Sequence, residues 1–110
     1  PLNDQLLARG GQLLQETRSA PHYRLYALAD GKRPAMVRDE SGGAAIAVEV
    51  WELPSAEVGS LLAAIPAPLG LGKVELADGR RLTGFICEAE GLGEATEITA
   101  YGGWRAWLAR

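Results

Sequence analysis

The spacing of apolar positions changes period along this chain. In HYRLYALAD, residues 22–30, apolar side chains alternate with polar ones and two are aromatic. That pattern predicts a strand, and Asp30-Gly31 predicts the turn that ends it. AAIAVEVWEL, residues 44–53, is apolar at nearly every position. It predicts a central strand covered on both faces. The period then lengthens. Val58, Leu61, Leu62 and Ile65 recur at helical spacing behind a Pro54-Ser55 start, and Pro66 ends that helix. Lys73 to Leu76 and Arg81 to Glu88 return to strand character around Ala77-Asp78-Gly79, which reads as a hairpin. Gln12 to Arg18 and Pro34 to Arg38 predict two further extended pieces. Asn3 or Asp4 caps a short first helix through Arg9 that Gly10-Gly11 stops. TAYGGWRAWLAR predicts a last helix from about Tyr101, with Thr99 near its cap and Trp104, Trp107 and Leu108 on its apolar side. The sum is a single α+β domain over residues 1–110, with about six strands and two or three short helices.

The segment IPAPLGLG, residues 65–72, places two prolines and two glycines between a predicted helix and a predicted strand. Proline fixes φ and removes a donor, while glycine allows close backbone approach. The segment therefore reads as a stiff turn. Either it serves packing, or it forms a pocket rim in which Gly70 and Gly72 leave room for a small planar ligand.

Composition narrows the chemistry. A net charge of −3 without clustered Lys or Arg argues against nucleic acid and anionic membranes as partners. No apolar run approaches the roughly 18 residues that span a bilayer. No secretory signal pattern opens the chain, and a cytoplasmic setting is expected. One Cys, Cys87, and one His, His22, exclude an internal disulfide and a structural zinc site, so neither metal nor cofactor is expected. No Gly-x-Ser-x-Gly motif or P-loop occurs. The chain starts at Pro1 rather than Met, and a fragment is the expectation.

Taken in order, PLNDQL, GGQLLQETRSAPHYRLYAL, GGAAIAVEVWELP, IPAPLGLGKVELADGRRLTGFICEA and EITAYGGWRAWLA resemble the C-terminal domain of allophanate hydrolase, a domain also found within urea amidolyases. The resemblance covers essentially the whole chain. It implies a fold similar to the γ-glutamyl cyclotransferases, a small mixed-strand β-barrel with short helices outside. It implies an amidase domain as partner, a homo-oligomer, and a small urea-derived carboxylate as substrate. In that family the C-terminal domain is thought to promote decarboxylation of N-carboxycarbamate after the amidase step, or to serve in assembly. Two departures stand out. The family's strand ending in Gly-Ala-His-Leu-x-Gly belongs immediately before Pro1, so the first strand and the His expected to carry catalysis are not in this chain. The cyclotransferases' Tyr-Gly-Ser-Leu-like loop and post-helix Glu are also absent, which argues against cyclotransferase activity.

Two carboxylates stand out. Glu49 shares a strand face with Ala45, Ala47 and Trp51, and Glu88 shares one with Leu82, Gly84 and Ile86. A carboxyl on an apolar face can donate a proton or position a substrate nitrogen. Alternatively, each sits near a strand end and reaches water or an Arg. Tyr101-Gly102-Gly103 can let an anion approach a helix start, or can pack that helix against the sheet. Tyr23 and Tyr26 point to opposite faces. His22 reads as a solvated imidazole and Cys87 as a small buried apolar side chain. Glu88 is the expected catalytic residue of this chain. Asn3, Glu49, Pro68, Leu69, Gly70, Gly72, Tyr101, Gly102 and Gly103 form the expected substrate-binding set. The apolar Trp104/Trp107 face is the expected interface if the domain serves assembly.

Overall fold

The computed structural model describes residues 2–110, with side chains from Asn3 onward. The order is α1 (Leu2–Ala8), β1 (Gln12–Arg18), β2 (Tyr23–Ala27), β3 (Pro34–Arg38), β4 (Ala47–Glu52), α2 (Val58–Ala64), β5 (Leu69–Glu75), β6 (Arg81–Cys87), β7 (Thr96–Glu97) and α3 (Trp104–Leu108). Single 3-10 turns at Ser55–Glu57, Ala89–Leu92 and Thr99–Tyr101 lie between them. The α+β class and the hairpin around Ala77-Asp78-Gly79 match the sequence expectation.

The closed barrel does not form. The seven strands make three separate antiparallel sheets: β1 with β4, β3-β2-β7, and β5 with β6. Single bridges stitch them, Ser19 opposite Leu76 and Tyr23 opposite Ala44. The joints are dry and hydrogen-bonded. Ser19 and Ile46 bond each other twice: the Ser19 amide donates to the Ile46 carbonyl at 2.9 Å, and the Ile46 amide donates to the Ser19 side-chain hydroxyl at 2.9 Å. The Glu75 amide donates to the Tyr23 hydroxyl at 2.8 Å, and the Ala20 amide to the Glu75 carbonyl at 2.9 Å. Ser19, Ala20, Tyr23 and Ile46 are buried, so their polar groups need these partners.

The main core gathers Tyr23, Leu25, Ala27, Ile46, Val74 and Ile98, with Trp104 and Trp107 packed against it. A smaller cluster holds Leu28, Ala35 and Cys87. The two indoles stack on each other with centroids 5.0 Å apart, and the Arg110 guanidinium covers Trp107 at 4.1 Å. Both indoles are half-buried, so part of each face is used inside the domain.

Other local expectations change as well. β4 pairs with no strand but β1 and is half-buried along its middle, so it is an edge strand rather than a central one. Of IPAPLGLG, only the first half is a turn. Leu69 to Gly72 is already β5, because a Cβ at Gly72 would meet Ile86 Cδ1 of β6 at 2.5 Å and glycine lets the two strands close. The C-terminal helix starts at Trp104, not Tyr101, since Gly102 takes a left-handed φ of 78° that breaks the chain between turn and helix. Thr99 does not cap a helix. Its hydroxyl accepts from the Leu25 amide at 3.0 Å and ties the C-terminal segment to β2. His22 is half-buried with Nδ1 enclosed and unpartnered, not solvated as expected.

Candidate functional site

A cavity of about 1680 Å³ opens between the β1–β4 ribbon, the β5–β6 hairpin, α2 and the C-terminal segment. Its polar wall is one face of the ribbon. Register places Arg18 opposite Ala47 and Glu16 opposite Glu49, and residues directly opposite share a face. The C-terminal segment packs over the same face. The Ala47 amide donates to the Gly102 carbonyl at 2.7 Å, and a Cβ at Gly103 would stand 3.0 Å from the Ala47 Cβ. Small residues at these positions are what allow the segment to lie on β4.

Glu49 is the hub of that wall. Its Oε1 accepts from Asn3 Nδ2 at 3.3 Å and from the Trp51 indole at 3.2 Å, and its Oε2 pairs with Arg105 at 2.8 Å. Like charges opposite each other in a sheet repel; these three donors offset the Glu16–Glu49 juxtaposition. Both carboxylate oxygens are engaged, so Glu49 acts as an anchor that holds α1, β4 and α3 around the cavity.

Glu88 stands elsewhere. β6 ends at Cys87, and Glu88 is an exposed residue that starts the following 3-10 turn. The inward-facing carboxyl expected from strand alternation is therefore not observed, because the strand stops one residue early. Glu88 borders a separate cleft of about 530 Å³ with Asp30, Arg33, Pro68 and Glu90. Its amide donates to the Pro68 carbonyl at 2.9 Å, which fastens the IPAP turn.

The expected set is thus divided. Asn3, Glu49, Leu69, Tyr101, Gly102 and Gly103 line the large cavity, while Pro68 and Glu88 line the small one. Gly70 and Gly72 border neither, although a Cβ at Gly70 would enter open space. Glu16, Arg18, Trp51 and Arg105 also line the large cavity and were not anticipated. Finding them needs the β1–β4 register, which no local pattern encodes.

Away from the cavity, Arg24 bridges Asp39 and Glu97. Its hydrogen bonds hold both carboxyls below their ordinary values, with help from the Ser41 and Thr99 hydroxyls respectively. Burial pushes the Cys87 thiol up, which disfavours the reactive thiolate. Among the described residues no group of three or more His, Cys, Asp or Glu side chains is arranged to hold a metal. No helix among them is long and apolar enough to cross a membrane.

The model of the allophanate hydrolase C-terminal domain matches residues 1–109. The chain belongs to that family. It is 35% identical to the urea amidolyase of Saccharomyces cerevisiae over 114 aligned residues, covering 98% of this chain and 6% of the relative. Against the urea amidolyase of Lachancea kluyveri the identity is 33%, with the same coverage. This allophanate hydrolase C-terminal domain thus spans only a small part of the curated relatives it matches. Its fold superposes on the crystal structure of Kluyveromyces lactis allophanate hydrolase with a TM-score of 0.92 at 33% identity, covering 99% of this chain and 19% of that one. A uropathogenic E. coli-specific protein superposes with a TM-score of 0.93 at 37% identity, covering all of this chain and 86% of that one.

Proposed function

We propose that this domain promotes decarboxylation of N-carboxycarbamate, the product of an amidase domain in the same larger protein, within urea breakdown to ammonia and carbon dioxide. The observation that carries this reading is the large cavity whose wall is the Glu49–Asn3–Trp51–Arg105 cluster, in a chain of this family. The substrate is a dianion with a carboxylate on each side of one nitrogen. One C–N bond breaks, its electron pair goes to nitrogen, carbon dioxide leaves, and a proton from the medium or the His expected ahead of Pro1 completes the carbamate. The carbamate then takes a second proton from the medium, its C–N bond breaks with the electron pair going to nitrogen, and ammonia and a second carbon dioxide form. Such a site must accept two negative charges without overstabilising them, because only preferential stabilisation of the transition state raises the rate. A cavity with guanidinium groups at its solvent-facing wall meets that requirement.

The test is to supply chemically generated N-carboxycarbamate to the complete domain, extended upstream through the expected His, and follow carbon dioxide release. Acceleration over buffer is expected, with loss of the acceleration in Glu49→Gln. Release at the buffer rate overturns the reading. Glu88→Gln in the same assay decides whether the smaller cleft contributes. The alternative reading is an assembly module that dimerises the amidase. Exposed Leu7, Leu13, Leu14, Leu62 and Leu108 favour it, and a concentration-dependent mass without decarboxylation is its signature.

A further inference from the structure

We propose that Arg18 binds a carboxylate of the ligand in the large cavity, opposite the guanidinium of Arg105, so that the site is selective for small dianions. This inference rests on the functional reading above and names its specificity residue. Every other arginine already has a partner. Arg9 bonds Gln5 and Ser60, Arg24 bridges two carboxylates, and Arg33, Arg38, Arg80, Arg81 and Arg105 each pair with an acid. Arg110 bonds the Trp107 carbonyl and covers its ring. Arg18 alone has no hydrogen bond or ion pair from its guanidinium among the described residues, yet it lines the cavity.

Its position is fixed by its surroundings. The Arg18 carbonyl accepts from the Ala77 amide at 3.0 Å, and the next residue, Ser19, is completely buried. The backbone that carries the guanidinium therefore cannot drift. A Cβ at Gly102 would lie 3.4 Å from Arg18 Nη2, so the guanidinium rests over the Gly102 segment and is not directed away from the cavity. Ala47, opposite Arg18, lies two positions before Glu49 on β4, about 7 Å along the strand. Glu49 in turn holds Arg105. Two guanidiniums therefore flank one polar wall: Arg105 with an internal counterion, Arg18 with none. A planar, five-donor fork is the side chain suited to taking a carboxylate with two hydrogen bonds. A molecule with carboxylates on both sides of a single atom can engage Arg18 with one end and reach Arg105 with the other.

The probe is malonate, in which a methylene replaces the central nitrogen, with acetate as the single-charge control. Titration of the isotopically labelled chain should shift the backbone amides of Ala47, Gly102 and Gly103. Arg18→Gln should weaken malonate binding by about tenfold or more, as expected for a lost charge-assisted bond, and should bring it down to the far weaker level at which the parent binds acetate. Arg18→Lys should recover part of the loss. Arg18 is exposed and its guanidinium makes no internal bond, so both variants should fold and melt as the parent does. Malonate that shifts the same amides with equal affinity in Arg18→Gln overturns the assignment of Arg18 and leaves the cavity reading standing. Malonate that shifts only residues around Arg33 and Glu88, or binds nowhere, overturns both.

Discussion

Ser19 provides a direct measure of what joins the sheets. It was not singled out by the sequence, yet it is the one completely buried polar side chain among the described residues. Its hydroxyl accepts from the Ile46 amide at 2.9 Å and donates to the Ala20 carbonyl at 2.9 Å. Ile46 is 1% exposed and Ala20 is 3% exposed, so water cannot replace the hydroxyl. Ser19→Ala removes one oxygen with almost no change of shape. It deletes a bond worth about 1 kcal/mol and leaves a buried N–H unpaired at a cost of about 1–3 kcal/mol. The second bond, to the adjacent carbonyl, adds little because that carbonyl has another lone pair. The expected loss is about 2–3 kcal/mol. For a domain of this size that lowers Tm by on the order of 10 °C. Urea titration read by circular dichroism gives the free energy, and hydrogen exchange at the Ile46 amide gives the local effect. Ser55→Ala is the control. The 3-10 turn that begins at Ser55 has no side-chain cap bond, so this variant should change stability by less than about 0.5 kcal/mol. If Ser19→Ala is as stable as Ser55→Ala and the Ile46 amide exchanges no faster, the dry joint is not what holds these sheets.

The Arg24 cluster should show in acid. Asp39 and Glu97 have folded values lowered chiefly by Arg24, so their contribution is complete above the ordinary carboxylate range near pH 4 and is lost as pH falls through the lowered values. Urea midpoints of the parent and Arg24→Gln should therefore converge between about pH 5 and pH 2; a constant gap refutes the linkage. Two glycines should behave oppositely. Gly43→Ala puts a Cβ onto the backbone of His22, Tyr23 and Asp39 and should cost more than about 3 kcal/mol, whereas Gly70→Ala enters open space and should be neutral or slightly stabilising. Cys87, with its thiol raised by burial, should react with a thiol reagent only when the chain opens, at a rate that urea accelerates; immediate labelling of the native chain contradicts its placement.

How much of this was legible depends on how local the signal is. Alternation and turn residues are written in neighbouring positions, and the six expected strands all appear, with only the two-residue β7 added. The apolar run in β4 was misread because periodicity cannot distinguish a strand covered by other strands from one that lines a cavity. Gly70 and Gly72 look like turn residues until Ile86 is seen filling the space over Gly72. The place of Glu49 on the cavity wall follows from its own strand, whose neighbours define its face. Arg18 and Glu16 join that wall only through pairing with residues about thirty positions away. The inward placement expected of Glu88 is missing for a related reason: a period of two says which face a residue takes while the strand lasts, not where the strand ends.

The large cavity also bears on the expected strand ahead of Pro1. β4 and β5 are each paired along one edge only, to β1 and to β6. The Glu75 amide points away from β6, toward Tyr23. In an antiparallel pair such outward amides alternate, so Lys73 and Leu71 also face outward. On β4, Ala47 reaches outward to Gly102, and by the same rule Glu49 faces outward beside it. Two half-paired strands thus border one cavity, and α1, whose Asn3 lines that cavity, is where preceding chain would arrive. An added strand would pair the outward amides of Leu71, Lys73 and Glu49 and cover apolar side chains at about 25 cal/mol per Å². Several kcal/mol are at stake, comparable to the net stability of a small domain. A chain extended by about ten upstream residues should melt several degrees higher than residues 1–110, protect the Leu71 and Lys73 amides from exchange, and lose any concentration dependence of its mass. If both chains melt together as monomers and those amides exchange equally, the open edges are finished surfaces. The cavity would then be a binding cleft in its own right.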